Sequence, residues 1–154
     1  MSFRHRLSLD GTWQFHIDPA NQLSLDMLDK APAWRQAQVP MPWQAQFDDL
    51  RHTSGVGWYR RPFTVDQRHT ESAILHFDAV DYHTTVWVNG EQAGIHEGGY
   101  LPFELDVTHL VHVGDNELVV RVADPTDNDV LWPDFPFSQI SHGKQSWYGA
   151  ISGI

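Results

Sequence analysis

The chain has 154 residues and a formal net charge of −10, a length that fits one domain with a core of its own. Only two lysines are present, which argues against non-specific nucleic-acid binding, because phosphate contacts need clustered Lys and Arg. Cysteine is absent, excluding a disulfide framework, a thiolate nucleophile and a zinc–thiolate site. No apolar run is long enough for a signal-peptide core or a membrane span, so no membrane partner is expected and a cytoplasmic location is.

In chain order, Gly11 to Asp18 alternates cleanly, with Trp13, Phe15 and Ile17 on one face and Gln14, His16 and Asp18 on the polar one. Leu23 to Asp29 reads as a short helical turn, with a loop around Pro32. Pro40 and Pro42 lack amide donors, so 39–43 cannot be a central strand. Trp58 to Val65 reads as a strand with Tyr59, Arg61, Phe63 and Val65 on one side, and Pro62 marks a sheet edge or a bulge. Ala73 to Ala79 is the next strand, and Thr84–Val88 with Glu91–Ile95 form a hairpin. Asn89-Gly90 between them suits a type I′ turn, in which both central residues have positive φ.

Phe103 to Val107 is a further strand, Thr108 to Val111 a turn, Gly114-Asp115-Asn116 a tight loop, and Leu118 to Ala123 the last clear strand. Seven or eight short strands bounded by Gly, Pro, Asn and Asp predict an all-β sandwich or jelly roll. No βαβ alternation is present, so a doubly wound fold is not expected.

After Ala123 the character changes. Residues 124–148 hold four aspartates and the rings of Trp132, Phe135, Phe137, Trp147 and Tyr148. Sugars offer C–H faces to such rings and hydroxyls to polar side chains. The substrate-contacting candidates are therefore Trp132, Asp134, His142, Lys144, Gln145, Trp147 and Tyr148. The competing reading is a satellite core beneath a long loop.

Asp78, Asp81, Glu97, Glu104 and Asp106 are available carboxylates, but a glycosidase pair must face across a cleft, which a sequence cannot display. Asp78 and Asp106 fit solvent-facing or turn-capping roles. His109 and His112 lack a third ligand at a familiar spacing, so no metal or other cofactor is expected. Residues 124–129 loosely resemble a calcium loop without the central Gly or distal Glu of an EF-hand.

Ten segments fall in one family's order. They are Leu9–Phe15; Val39-Pro40 with Trp43; Gly57–Phe63; Leu75–Tyr82; Val86–Gly90; Gly94–Tyr100; Pro102–Thr108; Gly114–Asn116; Val120–Val122; and Gly143–Gln145 through Ser152-Gly153-Ile154. With these the chain resembles the N-terminal, sugar-binding domain of glycoside hydrolase family 2, the β-galactosidase, β-glucuronidase and β-mannosidase group. The resemblance implies a jelly-roll β-sandwich over 1–154, followed in the family by an immunoglobulin-like domain and a TIM barrel that carries the two catalytic glutamates. It also implies that the loop before Ser-Gly-Ile, here about Gln145 to Trp147, reaches toward the barrel's sugar. Some members place an Asp there; this chain has Gln145, Ser146 and Trp147.

Ile154 sits where a strand should open, which reads as a boundary inside a longer polypeptide. The expectation is thus a non-catalytic domain of a retaining, β-galactosidase-like glycosidase. Its partners would be a carbohydrate, the remaining domains and, through any exposed apolar patch, a second copy in a homo-oligomer. The alternative is a free-standing carbohydrate-binding module.

Overall fold

The alternation along Gly11–Asp18 becomes β1 over those same residues. The remaining strands are β2 Arg35–Val39, β3 Gly55–Val65, β4 Ile74–Phe77, β5 His83–Val88, β6 Glu91–Glu97, β7 Phe103–Asp106 and β8 Gly114–Asp124. The computed structural model describes residues 5–31, 33–66, 72–126, 132 and 151–154. Six strands form one antiparallel sheet in the order β2-β1-β3-β8-β5-β6, and β4 pairs with β7 in a second. The described helical pieces are short: α1 at Trp43–Gln46 and 3-10 turns at Leu25–Lys30 and Asp48–Leu50. The all-β sandwich expected from the strand pattern is the observed class.

The two sheets close on one apolar layer. Trp13 and Phe15 of β1, Tyr59 of β3, Leu118, Val120 and Val122 of β8, and Val86 and Val88 of β5 meet Phe77 and Val107 there. Phe15 is fully buried, with Tyr59 at 4.9 Å, Phe47 at 5.4 Å and Trp43 at 5.8 Å between ring centroids. Full burial of one such side chain contributes roughly 2–3 kcal/mol. Gly57 makes room for these rings, since a Cβ there would lie 2.7 Å from Trp43 Cζ3 and 2.9 Å from Phe15 Cε2.

The other face of the large sheet is also covered. Val56, Trp58, Val119 and Ala123 pack with Leu28 and Trp132, flanked by Leu23, Leu25, Trp34 and Trp87. β8 therefore feeds two cores, with Leu118, Val120 and Val122 pointing inward and Val119 and Ala123 outward. Asp18, expected on a solvent face, is buried here. Its carboxylate accepts the Gln22 and Leu23 amides at 3.0 and 2.8 Å, fixing the turn that leads to the 3-10 segment. Arg60 ties that segment down by bonding Asp29 at 2.8 Å and Glu117 at 2.6 Å.

Strand ends shift by one or two residues elsewhere, and three boundaries differ more from the sequence reading. β2 carries exposed Gln36 and Gln38 between buried Ala37 and Val39, too short an alternation to stand out. β3 opens at Gly55, where a glycine with φ of +130° weakens the strand signal. Gly114-Asp115-Asn116, read as a loop, opens β8, because pairing with β3 runs from Gly55↔Asp124 to Val65↔Gly114. The Asn89-Gly90 turn has φ of 52° and 83°, as a type I′ hairpin requires. Pro62 lies past the last β1–β3 pair, Gln14↔Arg60, where β3 has only β8 beside it.

β2 is an edge strand, and its free side is occupied. The Gln46 side chain accepts the Gln38 amide at 2.5 Å and donates to the Gln38 carbonyl at 3.0 Å. It reaches the Met41 carbonyl as well, at 2.9 Å.

Candidate functional site

Among the described residues a dense polar construction lies where residues 151–154 return to the sandwich. Met41 donates its amide to the Ile154 carbonyl at 3.0 Å and Trp43 to the Ser152 carbonyl at 3.1 Å. Asp81 and Gly153 form an antiparallel bridge, Asp81 N to Gly153 O at 3.1 Å. The segment thus joins two unpaired stretches of chain, one after β2 and one before β5.

Side chains complete the seat. Gln44 donates to Ser152 Oγ at 2.8 Å and to the Thr53 carbonyl at 3.0 Å, while its Oε1 accepts the Ser152 amide at 3.0 Å. Ser152 Oγ in turn donates to Asp124 Oδ2 at 2.5 Å, and Ser54 also bonds Asp124. Every donor and acceptor of the Ser152 peptide and hydroxyl named here is inside the protein, and Ser152 is only 1% exposed. Gly153 has φ +134°, and a Cβ would stand 2.7 Å from Tyr59 Oη, so both backbone and space demand glycine.

The electrostatics follow from burial. Desolvation pushes the Asp81 carboxyl up to about 6, with the nearby Asp124 charge adding to the effect. Burial also raises Asp124, opposed by its bonds from Ser152 and Ser54. Burial holds the Tyr59 phenol protonated. Tyr82, next to Asp81, is pushed up to about 12 by desolvation and then by Glu97, to which its hydroxyl donates at 2.9 Å.

Hydroxyls, an amide side chain and backbone bond one another across this arrangement, so what it does chemically is hold a peptide segment in one register. Residues 143–150 lead directly into it. Around it Met41, Tyr100, Leu101 and Ile151 are exposed apolar side chains.

Of the seven substrate-contacting candidates, only Trp132 lies among the described residues. It is 2% exposed and packs in the outer cluster with Trp58 and Val119, the position a satellite core would give it. Asp134, His142, Lys144, Gln145, Trp147 and Tyr148 lie outside the described residues, as does the 127–129 part of the calcium-like loop.

The other carboxylates are engaged locally. Asp78 and Glu104 flank His76 at 3.0 and 3.2 Å, and Asp106 caps its own turn through the Thr108 amide at 2.9 Å. Among the described residues no three His, Asp or Glu converge as a metal site. Sequence reasoning missed Gln44 and Asp124 as partners of Ser152, and Ser54 as a second donor to Asp124. The available signal was the polar Ser152 in an otherwise apolar ending, which needs a buried partner.

Comparison with known proteins adds the following. The family described as "Glycosyl hydrolases family 2, sugar binding domain" matches residues 24–142. The chain is 31% identical over 148 residues to the β-glucuronidase of Homo sapiens, covering 87% of this chain and 23% of that protein. It is 33% identical over 140 residues to that of Paenibacillus borealis, covering 86% and 22%.

Among solved structures, a Bifidobacterium dentium β-glucuronidase complexed with coumarin-3-O-glucuronide superposes with a TM-score of 0.68 at 37% identity, covering 75% of this chain and 19% of that one. A Faecalibacterium prausnitzii β-glucuronidase gives 0.68 at 34%, covering 76% and 20%. The chain spans under a quarter of the length of these relatives.

Proposed function

The chain belongs to the sugar-binding domain of the family 2 glycosyl hydrolases, and we propose that it is the non-catalytic N-terminal sandwich of a retaining β-glycosidase acting on β-glucuronides. The observation that carries this reading is the match over residues 24–142 to a domain whose relatives are β-glucuronidases. The relatives bear the glucuronidase name, which favours a β-glucuronide over the substrate of a β-galactosidase-like enzyme. The catalytic glutamates would stand in a barrel domain of the same polypeptide, outside residues 1–154.

In this reading the domain supports that barrel and directs residues 143–150 toward the sugar. The seat for residues 151–154 supports such a role, because it fixes one end of that loop. The exposed Met41, Tyr100, Leu101 and Ile151 supply apolar surface for the neighbouring domains to cover. A free-standing carbohydrate-binding module is less well supported, because Trp132 is packed away from solvent.

The test is to assay the polypeptide of the complete gene and residues 1–154 alone on 4-nitrophenyl β-D-glucuronide and β-D-galactoside. The expected result is glucuronide turnover by the complete polypeptide and none by residues 1–154. A preference for the galactoside would overturn the substrate, and turnover that stays with residues 1–154 through purification would overturn the non-catalytic role.

A further inference from the structure

The β5–β6 hairpin turns on Asn89-Gly90, and its tip is tied to a separate stretch of chain. The Asn89 amide donates to the Glu117 carbonyl at 2.9 Å. Its side chain makes three further bonds. Nδ2 donates to the Leu110 carbonyl at 2.7 Å and to Asn116 Oδ1 at 2.9 Å, and Oδ1 accepts the Glu117 amide at 2.9 Å. Asn116 is 4% exposed and fully engaged in turn. It donates to the His112 and Gly114 carbonyls at 2.7 and 2.9 Å and accepts the His112 amide at 3.0 Å. Two carboxamides therefore clasp the hairpin tip to residues 110–117.

The same dipeptide carries a reaction of its own. Asn89 is the one asparagine of the chain that precedes glycine. In such a pair the glycine nitrogen attacks the asparagine Cγ. A C–N bond closes a five-membered succinimide, the attacking nitrogen gives up its proton, and Nδ2 takes up a proton and leaves as ammonia. Water then opens the ring at either carbonyl, to aspartate or to isoaspartate. Glycine permits this because no Cβ shields its nitrogen. Here a Cβ on Gly90 would meet nothing within 4 Å, and both residues are exposed, so water reaches the turn. Ring closure draws Cγ into bonding distance of the Gly90 nitrogen and turns the carboxamide away, so the three side-chain bonds have to be released first.

We propose that Asn89 is a guarded deamidation site: the fold keeps it intact while the clasp is shut, and each opening exposes it to a change that prevents the clasp from re-forming. The product carries the second half of this. A carboxylate has no proton to give, and at position 89 it would face two acceptors, the Leu110 carbonyl and Asn116 Oδ1. Isoaspartate adds a carbon to the backbone and spoils the pair of positive φ angles, 52° and 83°, on which the type I′ turn depends. The modification is thus a one-way record of time spent with the hairpin tip released.

The experiment is peptide-mapping mass spectrometry of the chain held in mildly alkaline buffer, native and in denaturant. The mass gain of amide-to-acid conversion at Asn89 should accumulate at least about tenfold more slowly in the native chain, because the reaction waits for local opening. Asn116→Ala removes the buried partner and should raise the native rate about tenfold while circular dichroism shows the fold intact. Asn89→Asp, which installs one product directly, should speed hydrogen exchange at the His112 amide about tenfold. Equal rates in native and denatured chain would overturn the guard, and that comparison decides it if Asn116→Ala does not fold. A folded Asn116→Ala chain that converts no faster, or an Asn89→Asp chain with His112 as protected as before, would overturn the clasp.

Discussion

Both faces of the six-stranded sheet carry a buried apolar cluster, but the two are closed by different means. The inner face meets another sheet, and its rings interlock: Phe15 touches Trp43, Phe47 and Tyr59, and the Trp43 indole donates to the Thr53 carbonyl at 2.8 Å. The outer face is covered by a 3-10 segment and Trp132, and polar groups are threaded through it. Arg121 is partly buried there, bonded to Asn21 at 2.6 Å, with its guanidinium 5.9 Å from the Trp58 ring. The Trp58 indole nitrogen is buried with no hydrogen-bond partner among the described residues. The inner face behaves as a jigsaw core, and the outer one as an apolar layer pinned at chosen points by polar contacts.

Mutation should separate the two. Phe15→Ala empties the centre of the inner layer and should cost about 4 kcal/mol, measured by denaturant unfolding. A loss below about 1 kcal/mol would mean that the inner layer is not tightly packed. Trp43→Phe and Trp58→Phe sharpen the contrast with one chemistry on each face. The first removes the indole donor and leaves the Thr53 carbonyl its Gln44 bond alone, and should cost about 2 kcal/mol, whereas the second deletes a donor with no partner among the described residues and should cost about 1 kcal/mol. Equal losses would erase the distinction between the faces.

Arg60→Ala removes the pin on the 3-10 cover. It should cost about 1 kcal/mol, discounted for partial exposure, and should raise exchange at Leu28 before it raises exchange at Phe15. The smallest effect belongs to neither face. His76 on the two-stranded sheet is raised by the hydrogen bonds it donates to Asp78 and then Glu104. The pairing contributes below the ordinary value of 6.5 and fades as pH rises through the elevated one. Asp78→Asn should bring the His76 titration, followed by NMR, back toward that ordinary value.

What the sequence disclosed tracks this division. Inner-face positions follow strict alternation, so Trp13 and Phe15, the Tyr59–Phe63 side and the Leu118–Val122 row are all readable. The outer layer is not, because its members occupy positions that alternation assigns to solvent. Asp18 and Arg121 look like surface charges until the covering segment is known. The seat was legible in part. The ending Ser-Gly-Ile stood out, but Gln44 and Ser152 are 108 residues apart in sequence, and no local pattern joins them. Among the available carboxylates, Asp81 was named on type alone, and only the β5–β8 register sets it beside Asp124.

The Gln46 side chain on β2 reaches further than its local bonds. An open sheet is vulnerable at its margins, where unsatisfied peptide groups can recruit a strand from another molecule. By returning both an acceptor and a donor to Gln38, the Gln46 carboxamide imitates the neighbour that β2 lacks. It is a one-residue stand-in for a seventh strand. Growth by strand addition is obstructed on that side of the sheet.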